Sequence, residues 1–202
     1  DIVFQAREGS PELNCCSVNG PRGLGMISDW ALMRCKSGLV LNWYGSSTMK
    51  TRLSSDVTVE LVQETAYPRQ GKIGLSVSPS RPAQFVLKLR IPYWSHTTKV
   101  KVNGVSVGKV VAGTYLTLDR EWKEGDEVEL ELDMSLHYWV GEKECEGVVS
   151  IYRGPVLLTY DRRLNAMDPD DIPPLDAAAM DGRLIPSQDR LPTIVLMEYT
   201  VP

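Results

Sequence analysis

From residue 38 to about residue 160, apolar and polar residues alternate along the chain, and turn signals interrupt the alternation. A period of two places successive side chains on opposite faces of a strand, so each run predicts a strand with one buried face. Many short strands separated by Gly, Asn and Pro are typical of antiparallel sheets packed in two layers. The sequence therefore predicts a mainly β fold, an antiparallel, jelly-roll-like β-sandwich.

Three segments show the turn chemistry most clearly. The segment KVKVNGVSVG predicts a hairpin with a type I′ turn at Asn103-Gly104. The segment GTYLTLDREWKEGDEVELELDM predicts a pair of strands turned around Gly125, with its glutamates on a solvated face. The segment GVVSIYRGPVLLTYD predicts a strand interrupted at Gly154-Pro155, where proline indicates an edge or a bulge.

One segment has a helical period instead. In residues 19–35, apolar residues recur at spacings of three and four and form a broad apolar face. Pro21 suits the first helical position, with Asn19 or Gly20 as the cap. Residues beyond about 165 are rich in Pro and Asp, which predicts an extended surface segment that ends in one more strand, PTIVLMEYTV.

Composition excludes several classes of function. The formal net charge of −4 and the pI of 5.3 argue against a nucleic-acid-binding or anionic-membrane surface. No apolar run approaches the roughly 18 residues of a membrane span, and the first residues do not resemble a signal peptide. Since the sequence begins with Asp1 and not with methionine, we expect it to be a piece of a longer protein.

The chain has four cysteines, and two of them, Cys15 and Cys16, are adjacent. Their spacing is unlike that of a small disulfide-rich domain, and a bond between neighbours would be strained. Free or metal-bound thiols are therefore favoured, and buried structural thiols are the alternative. Cys35 and Cys145 have no partner at metal-binding spacing, and both are interpreted as structural.

The histidines and aromatic residues favour structural interpretations. His96 and His137 have no carboxylate or second histidine at a useful spacing, which indicates ordinary histidines at strand edges. Six aromatic residues offer a stacking platform for sugars or a sandwich core, and core is favoured for most of them. These are Trp43, Tyr44, Tyr93, Trp94, Tyr138 and Trp139.

Seven collinear segments resemble the cysteine-dependent bacterial glycoside hydrolases typified by β-L-arabinofuranosidases, long catalogued as a domain of unknown function. The segments are CCSVNGPRGL, GLVLNWYGSS, QETAYPRQGKIGLSV, LKLRIPYWS, VKVNG, GTYLTLDREWKEGDEVELEL and YRGPVLLTY. The resemblance implies an (α/α)-barrel catalytic domain followed by β-sandwich domains. Residues 1–37 would then be the C-terminal remnant of the barrel and residues 38–160 the sandwich. Residues 161–202 would be an extended segment and final strand, which could begin a further β domain.

The resemblance also implies a mechanism. In this family the first cysteine of the pair is the nucleophile of a retaining glycosidase and is bound to zinc together with the second. Cys15 would then be the nucleophile, Cys15 and Cys16 zinc ligands, and Asn19 and Arg22 candidate substrate-binding residues. A surface or structural role for Arg22 stays equally open. The other zinc ligands and the general acid/base come from a Glu-x-Cys motif that this chain lacks, so the fragment alone is expected to be inactive.

The implied partners are a carbohydrate substrate and the rest of the chain's own catalytic barrel, with no nucleic acid and no membrane. A homodimer, the sugar specificity and the cellular compartment all stay open. Asn14 precedes the cysteine pair where the characterised arabinofuranosidase has a further cysteine, so its substrate is not carried over. The alternative function is a non-catalytic β-sandwich module that supports or binds carbohydrate.

Overall fold

The computed structural model describes residues 15–160, 162, 167–172, 183–185 and 198–200. These residues form one α-helix, α1 (Cys15–Ala31), two 3₁₀ turns (Lys143–Cys145 and Pro169–Asp171) and fifteen strands. In chain order the strands are β1 (Leu32–Cys35), β2 (Gly38–Leu41), β3 (Ser47–Arg52), β4 (Thr58–Thr65), β5 (Lys72–Pro79), β6 (Ala83–Arg90), β7 (Lys99–Val102), β8 (Val105–Ser106), β9 (Tyr115–Trp122), β10 (Asp126–Glu131), β11 (Leu136–Val140), β12 (Val149–Arg153), β13 (Val156–Leu158), β14 (Arg183–Ile185) and β15 (Glu198–Thr200). No helix among the described residues is long and apolar enough to span a membrane.

Two large sheets form the sandwich. The four-stranded sheet has the order β1-β2-β6-β9, and the six-stranded sheet has the order β3-β4-β5-β10-β7-β8. Strand β2 runs parallel to β6, whereas the other pairings in these two sheets are antiparallel. The predicted mainly β sandwich with one N-terminal helix is confirmed.

A single apolar core joins the two sheets, because each contributes the inward half of its alternating residues. The four-stranded sheet supplies Leu39, Leu87 and Leu89, and the six-stranded sheet supplies Leu61 and Leu130, all essentially buried. The tryptophan of β9 is also fully buried. Its indole Nε1 donates a hydrogen bond to the Phe85 carbonyl at 3.0 Å, which satisfies its one polar atom.

The predicted hairpin at Asn103-Gly104 is confirmed. Both residues have positive φ, 49° and 77°, as a type I′ turn requires. The Asn103 side chain also links this turn to the start of β10, since its Nδ2 donates to Asp126 Oδ1 at 2.8 Å and its Oδ1 accepts from the Glu127 amide at 2.8 Å. The Asp126 carboxylate accepts a further hydrogen bond from the Lys123 amide at 2.9 Å.

The strands on either side of Gly125 do not pair with each other, so the predicted strand pair is wrong. Strand β9 pairs with β6 in one sheet, and β10 pairs with β5 and β7 in the other. The turn between them, where Gly125 has a φ of 78°, is a crossover between the layers. Alternation predicts which residues point inward, but it is the same for a hairpin and for a crossover.

The helix differs from its prediction at both ends. It begins at Cys15, so Asn19 and Gly20 are not caps and Pro21 lies inside it. It ends at Ala31, because the next four residues pair with β2 as strand β1. The short run of residues 32–35 fits both a helical and a strand period. Its pairing with β2 makes it a strand.

A third, three-stranded sheet has the order β11-β12-β13. Gly154-Pro155 forms the two-residue turn between β12 and β13, with Arg153 paired to Val156. The expected single interrupted strand is therefore a hairpin, although β13 is an edge strand as the proline indicates. Within the region expected to be extended, β14 pairs with β15, and the remaining residues of the predicted final strand lie outside the described ones.

Replacing Asp126 should destabilise the sandwich. We expect Asp126→Asn to lower the free energy of unfolding by about 1–3 kcal/mol at pH 7, because asparagine turns an amide donor toward the Asn103 amide. Chemical denaturation of the chain measures this difference. Asp119→Asn, which changes an exposed carboxylate on β9, is the matched control and should leave the stability nearly unchanged.

The destabilisation should depend on pH with a defined sign. Burial acts to raise the pKa of Asp126, but hydrogen bonds from Lys123 and Asn103 and the nearby positive charges of Arg120 and Lys123 outweigh it and lower that pKa. The stabilisation is then complete above the unfolded pKa of about 3.9 and is lost as the pH falls through the folded value. The difference between wild type and variant should shrink below about pH 4, and a constant difference would contradict this role.

Candidate functional site

The adjacent cysteines of the sequence motif are the first two residues of α1. The first turn of this helix contains no acidic residue, and an α-helix carries partial positive charge at its N-terminus. Cys15, Asn19 and Arg22 follow one another at i, i+4 and i+7, so the backbone places these three positions along one face of the helix. The helix therefore brings the predicted nucleophile and both predicted substrate-binding residues onto one stripe.

Much of the described surface of α1 is exposed. Asn19 and Arg22 are exposed, and Leu24 and Trp30 on the expected apolar face are 71% and 52% exposed. The packed element that α1 chiefly contacts is β1, which continues directly from its last turn. The broad apolar face of the helix is thus mostly uncovered by the described part of the chain.

The end of α1 is fixed to the sandwich by residues that the sequence analysis did not single out. Asn42, which follows β2, donates from its backbone amide to the Ala31 carbonyl at 2.9 Å and from Nδ2 to the Trp30 carbonyl at 3.0 Å. The Tyr115 hydroxyl of β9 donates to Asn42 Oδ1. The last carbonyls of a helix lack intrahelical partners, and here the sandwich supplies them. The motif GLVLNWYGSS contains Asn42, but only the structure shows its partners.

Cys35 and Cys145 carry free thiols. Cys35, on β1, is half-buried, and a hydrogen bond with the Ser37 hydroxyl is the main cause that lowers the pKa of its thiol. Cys145 is exposed in a 3₁₀ turn, and its interpretation as a structural thiol stays a prediction. Among the described residues, no group of three or more His, Cys, Asp and Glu side chains is arranged to hold a metal ion.

Fewer of the six aromatic residues lie in the core than the sequence predicts. Tyr44 is buried, and its hydroxyl donates to the Arg90 carbonyl at 2.7 Å. Trp43, Tyr93 and Trp139 are 49%, 61% and 60% exposed. For these three the core interpretation is wrong, because Trp43 and Tyr93 follow the ends of β2 and β6, and Trp139 lies on β11, an outer strand of the three-stranded sheet.

The two histidines also differ from each other. His96 is exposed in a turn, as expected. His137 lies within β11, and its ring stacks between Trp94 and Tyr152, with centroid distances of 6.3 and 5.3 Å. It is therefore a packing residue between the three-stranded sheet and the sandwich, and not a loop histidine.

A groove of about 610 Å³ crosses strands β3, β4 and β5. Lys50 and Glu60 in its lining form an ion pair at 2.6 Å, and the residues that line it include no aromatic side chain. Sugar-binding surfaces use aromatic faces for stacking, so this groove offers little to a glycan. Helix α1 and its anchored end are the stronger candidate site.

A two-sheet sandwich joined to a cysteine-bearing helix defines a structural module, and comparisons with known proteins relate it to glycoside hydrolases. Residues 38–134 match the family model described as "Beta-L-arabinofuranosidase, GH127 middle domain". The chain is similar to a GH127 β-L-arabinofuranosidase from Geobacillus stearothermophilus T6, with 31% identity and a TM-score of 0.65 over 72% of this chain and 24% of that one. No curated protein matches it.

Two further solved structures are similar. One is described as a glycoside hydrolase, with 29% identity and a TM-score of 0.67 over 78% of this chain and 28% of that one. The other is a GH127 β-arabinofuranosidase, with 28% identity and a TM-score of 0.64 over 72% of this chain and 26% of that one. The chain thus spans about a quarter of the length of these proteins, and it is similar to a module of GH127 glycoside hydrolases.

The Asn42 anchor can be tested directly. Asn42→Ala removes the donor to the Trp30 carbonyl, and we expect amide hydrogen exchange near the C-terminus of α1 to accelerate about 3- to 10-fold, while β4 and β5 keep their rates. Gln84→Ala is the matched control, since Gln84 is a side-chain amide on the same sheet that donates to Asp119 at 2.7 Å. Equal exchange in both variants would show that Asn42 does not hold the helix.

Proposed function

We propose that the chain is a C-terminal part of a retaining glycoside hydrolase of the GH127 family, similar to β-L-arabinofuranosidases. The observation that carries this proposal is the match of residues 38–134 to the GH127 middle domain, directly after a helix that begins with the cysteine pair. The sandwich supports the catalytic domain, and residues outside this chain complete the active site.

The composition of α1 supports a partner for the helix. It contains Gly20, Gly23, Gly25 and Pro21, which together cost about 6 kcal/mol relative to alanine in a helix interior. A Cβ atom added at any of the three glycines would meet nothing within 4 Å, so no described contact requires glycine there. A helix with these residues and an exposed apolar face is stable when another body packs closely against it. The proposed partner is the rest of an (α/α) barrel.

Within that barrel, Cys15 is the proposed nucleophile. Its sulfur attacks the anomeric carbon, a C–S bond forms, and the C–O bond to the leaving group breaks while an acid outside this chain protonates the leaving oxygen. Water then displaces the sulfur and returns the sugar with retained configuration. This attack needs the thiolate form of Cys15.

The donor set fits zinc in part. Thiolates are preferred zinc ligands, and Cys15 and Cys16 would supply two of roughly four, with the others outside this chain. Zinc, when bound, keeps a thiol deprotonated at neutral pH. Asn19 and Arg22, on the same helical face as Cys15, are proposed to donate hydrogen bonds to sugar hydroxyls. The isolated chain is expected to be inactive, because the general acid lies elsewhere.

The test compares cysteine variants of the full-length protein. Cys15→Ser should lower kcat/KM toward aryl arabinofuranosides by at least about 10³-fold, because serine is a far weaker nucleophile. It should also lower the bound zinc. Cys35→Ser is the matched control, since it removes a free thiol on β1 outside the cysteine pair and should retain full activity.

Two results would overturn this function. Full activity in Cys15→Ser would exclude the cysteine nucleophile. Glycan binding by the protein that is equal in wild type and Cys15→Ser, without any hydrolysis by either, would instead favour the non-catalytic carbohydrate-binding sandwich.

A further inference from the structure

Four exposed aromatic residues gather where the four-stranded sheet meets α1, and we name this surface the aromatic end. Trp30 is 52% exposed, Trp43 49%, Tyr93 61% and Tyr115 46%. They come from the last turn of α1, the segments after β2 and β6, and the start of β9. Single exposed aromatic residues are ordinary, but a group of four at one end of a sheet is typical of an interaction surface.

The aromatic end is a built surface, because the sandwich fixes the backbone beneath each ring. Tyr115 pairs with Arg90 across β6 and β9, and its hydroxyl donates to Asn42, the residue just before Trp43. Gly113, with a φ of 76°, lies beside Tyr93, since an added Cβ would be in ordinary van der Waals contact with the Tyr93 Cβ at 3.7 Å. The Asn42 amide groups bind the carbonyls of Trp30 and the next residue. Rigid aromatic rings presented this way bind partners at low entropic cost.

We infer that the aromatic end is the surface on which the helical catalytic domain of the longer protein rests. This inference rests on the proposed function, and it adds the contact surface between the two domains. The partner is a protein surface that accepts aromatic anchors, in which all four rings become buried.

Continuity with α1 argues for this partner. The helix leaves the sandwich at the aromatic end, so a domain that packs along the full length of α1 reaches the surface around its last turn. The similar solved structures extend well beyond this chain, which covers 24 to 28% of their length. A further body therefore exists in those proteins to occupy such a surface.

Distance argues against a direct role in binding the reacting sugar. At 1.5 Å per residue, the 17-residue helix separates Cys15 from Ala31 by about 24 Å. A single sugar ring bonded to Cys15 cannot reach across that length to Trp43 or Tyr115. The rings of the aromatic end are thus better suited to hold the domain that carries the chemistry than to hold the substrate.

Hydroxyl-radical footprinting of the full-length wild-type protein tests this inference without relying on any variant. Labelling rates are measured for native protein and normalised to the unfolded protein. We expect Trp43 to be labelled at least about fivefold more slowly than Trp139, although their exposures in this chain are 49% and 60%. Tyr93 should be protected likewise, relative to Tyr160, which is 39% exposed.

Three results would overturn the inference. Labelling of Trp43 at a rate similar to that of Trp139 would show that the surface stays open. Protection that disappears on dilution would assign it to a second copy of the chain. Protection that appears only with added arabinoside would assign it to a sugar.

The result of footprinting and the result of the Cys15→Ser test can be told apart. Protected rings in a protein whose activity survives Cys15→Ser would keep the domain contact and reject the cysteine mechanism. Open rings in a protein that needs Cys15 would do the reverse.

Discussion

The apolar layer between the two sheets is the constraint on which the rest of the fold depends. Strands β9 and β10 are consecutive in the chain but belong to opposite sheets, so the turn between them holds the layers together. The polar groups of this turn are satisfied next to the core. Asp126 accepts from the Lys123 amide and the Asn103 side chain, and the guanidinium of Arg120 lies 3.7 Å from it and 5.1 Å from the Trp122 ring. The turn can therefore approach the core without leaving a buried charge unpaired.

That core also determines where α1 points. The helix passes into β1 without a loop, and β1 is held in register by β2. Asn42 closes the last turn with two hydrogen bonds, and Tyr115 orients Asn42. The sandwich thus fixes one end of a helix whose other end carries the cysteine pair. A small rotation at the fixed end of a 17-residue helix displaces its far end by a larger distance, so the anchor determines where the cysteine pair lies.

Local chemistry made parts of this structure predictable from the sequence. The inward faces of β4, β5 and β10 follow from strict alternation, and the type I′ turn follows from Asn103-Gly104, because only such residues accept positive φ cheaply. Non-local pairing was not predictable in the same way. The crossover at Gly125 and the strand character of β1 both depend on which distant strand supplies the hydrogen bonds. The site follows the same division, since CCSVNGPRGL indicates the cysteine pair, whereas the partners of Asn42 come from two separate segments, the last turn of α1 and β9.

The sandwich and helix α1 differ in how completely their apolar side chains are buried. The sandwich has a filled core, with Trp122 and the inward leucine and valine side chains buried and the indole N–H of Trp122 hydrogen-bonded. At the aromatic end four rings are exposed around the last turn of α1. This helix contains three glycines and an internal proline. The helix adds little stability to a sandwich whose core is already filled. The sandwich in turn stabilises only the last turn of the helix. Strand β1 nevertheless belongs to the sheet, although the expected boundary at residue 37 assigns it to the helical part. Because β1 is paired in the sheet and continues directly from Ala31, no linker separates α1 from the sandwich.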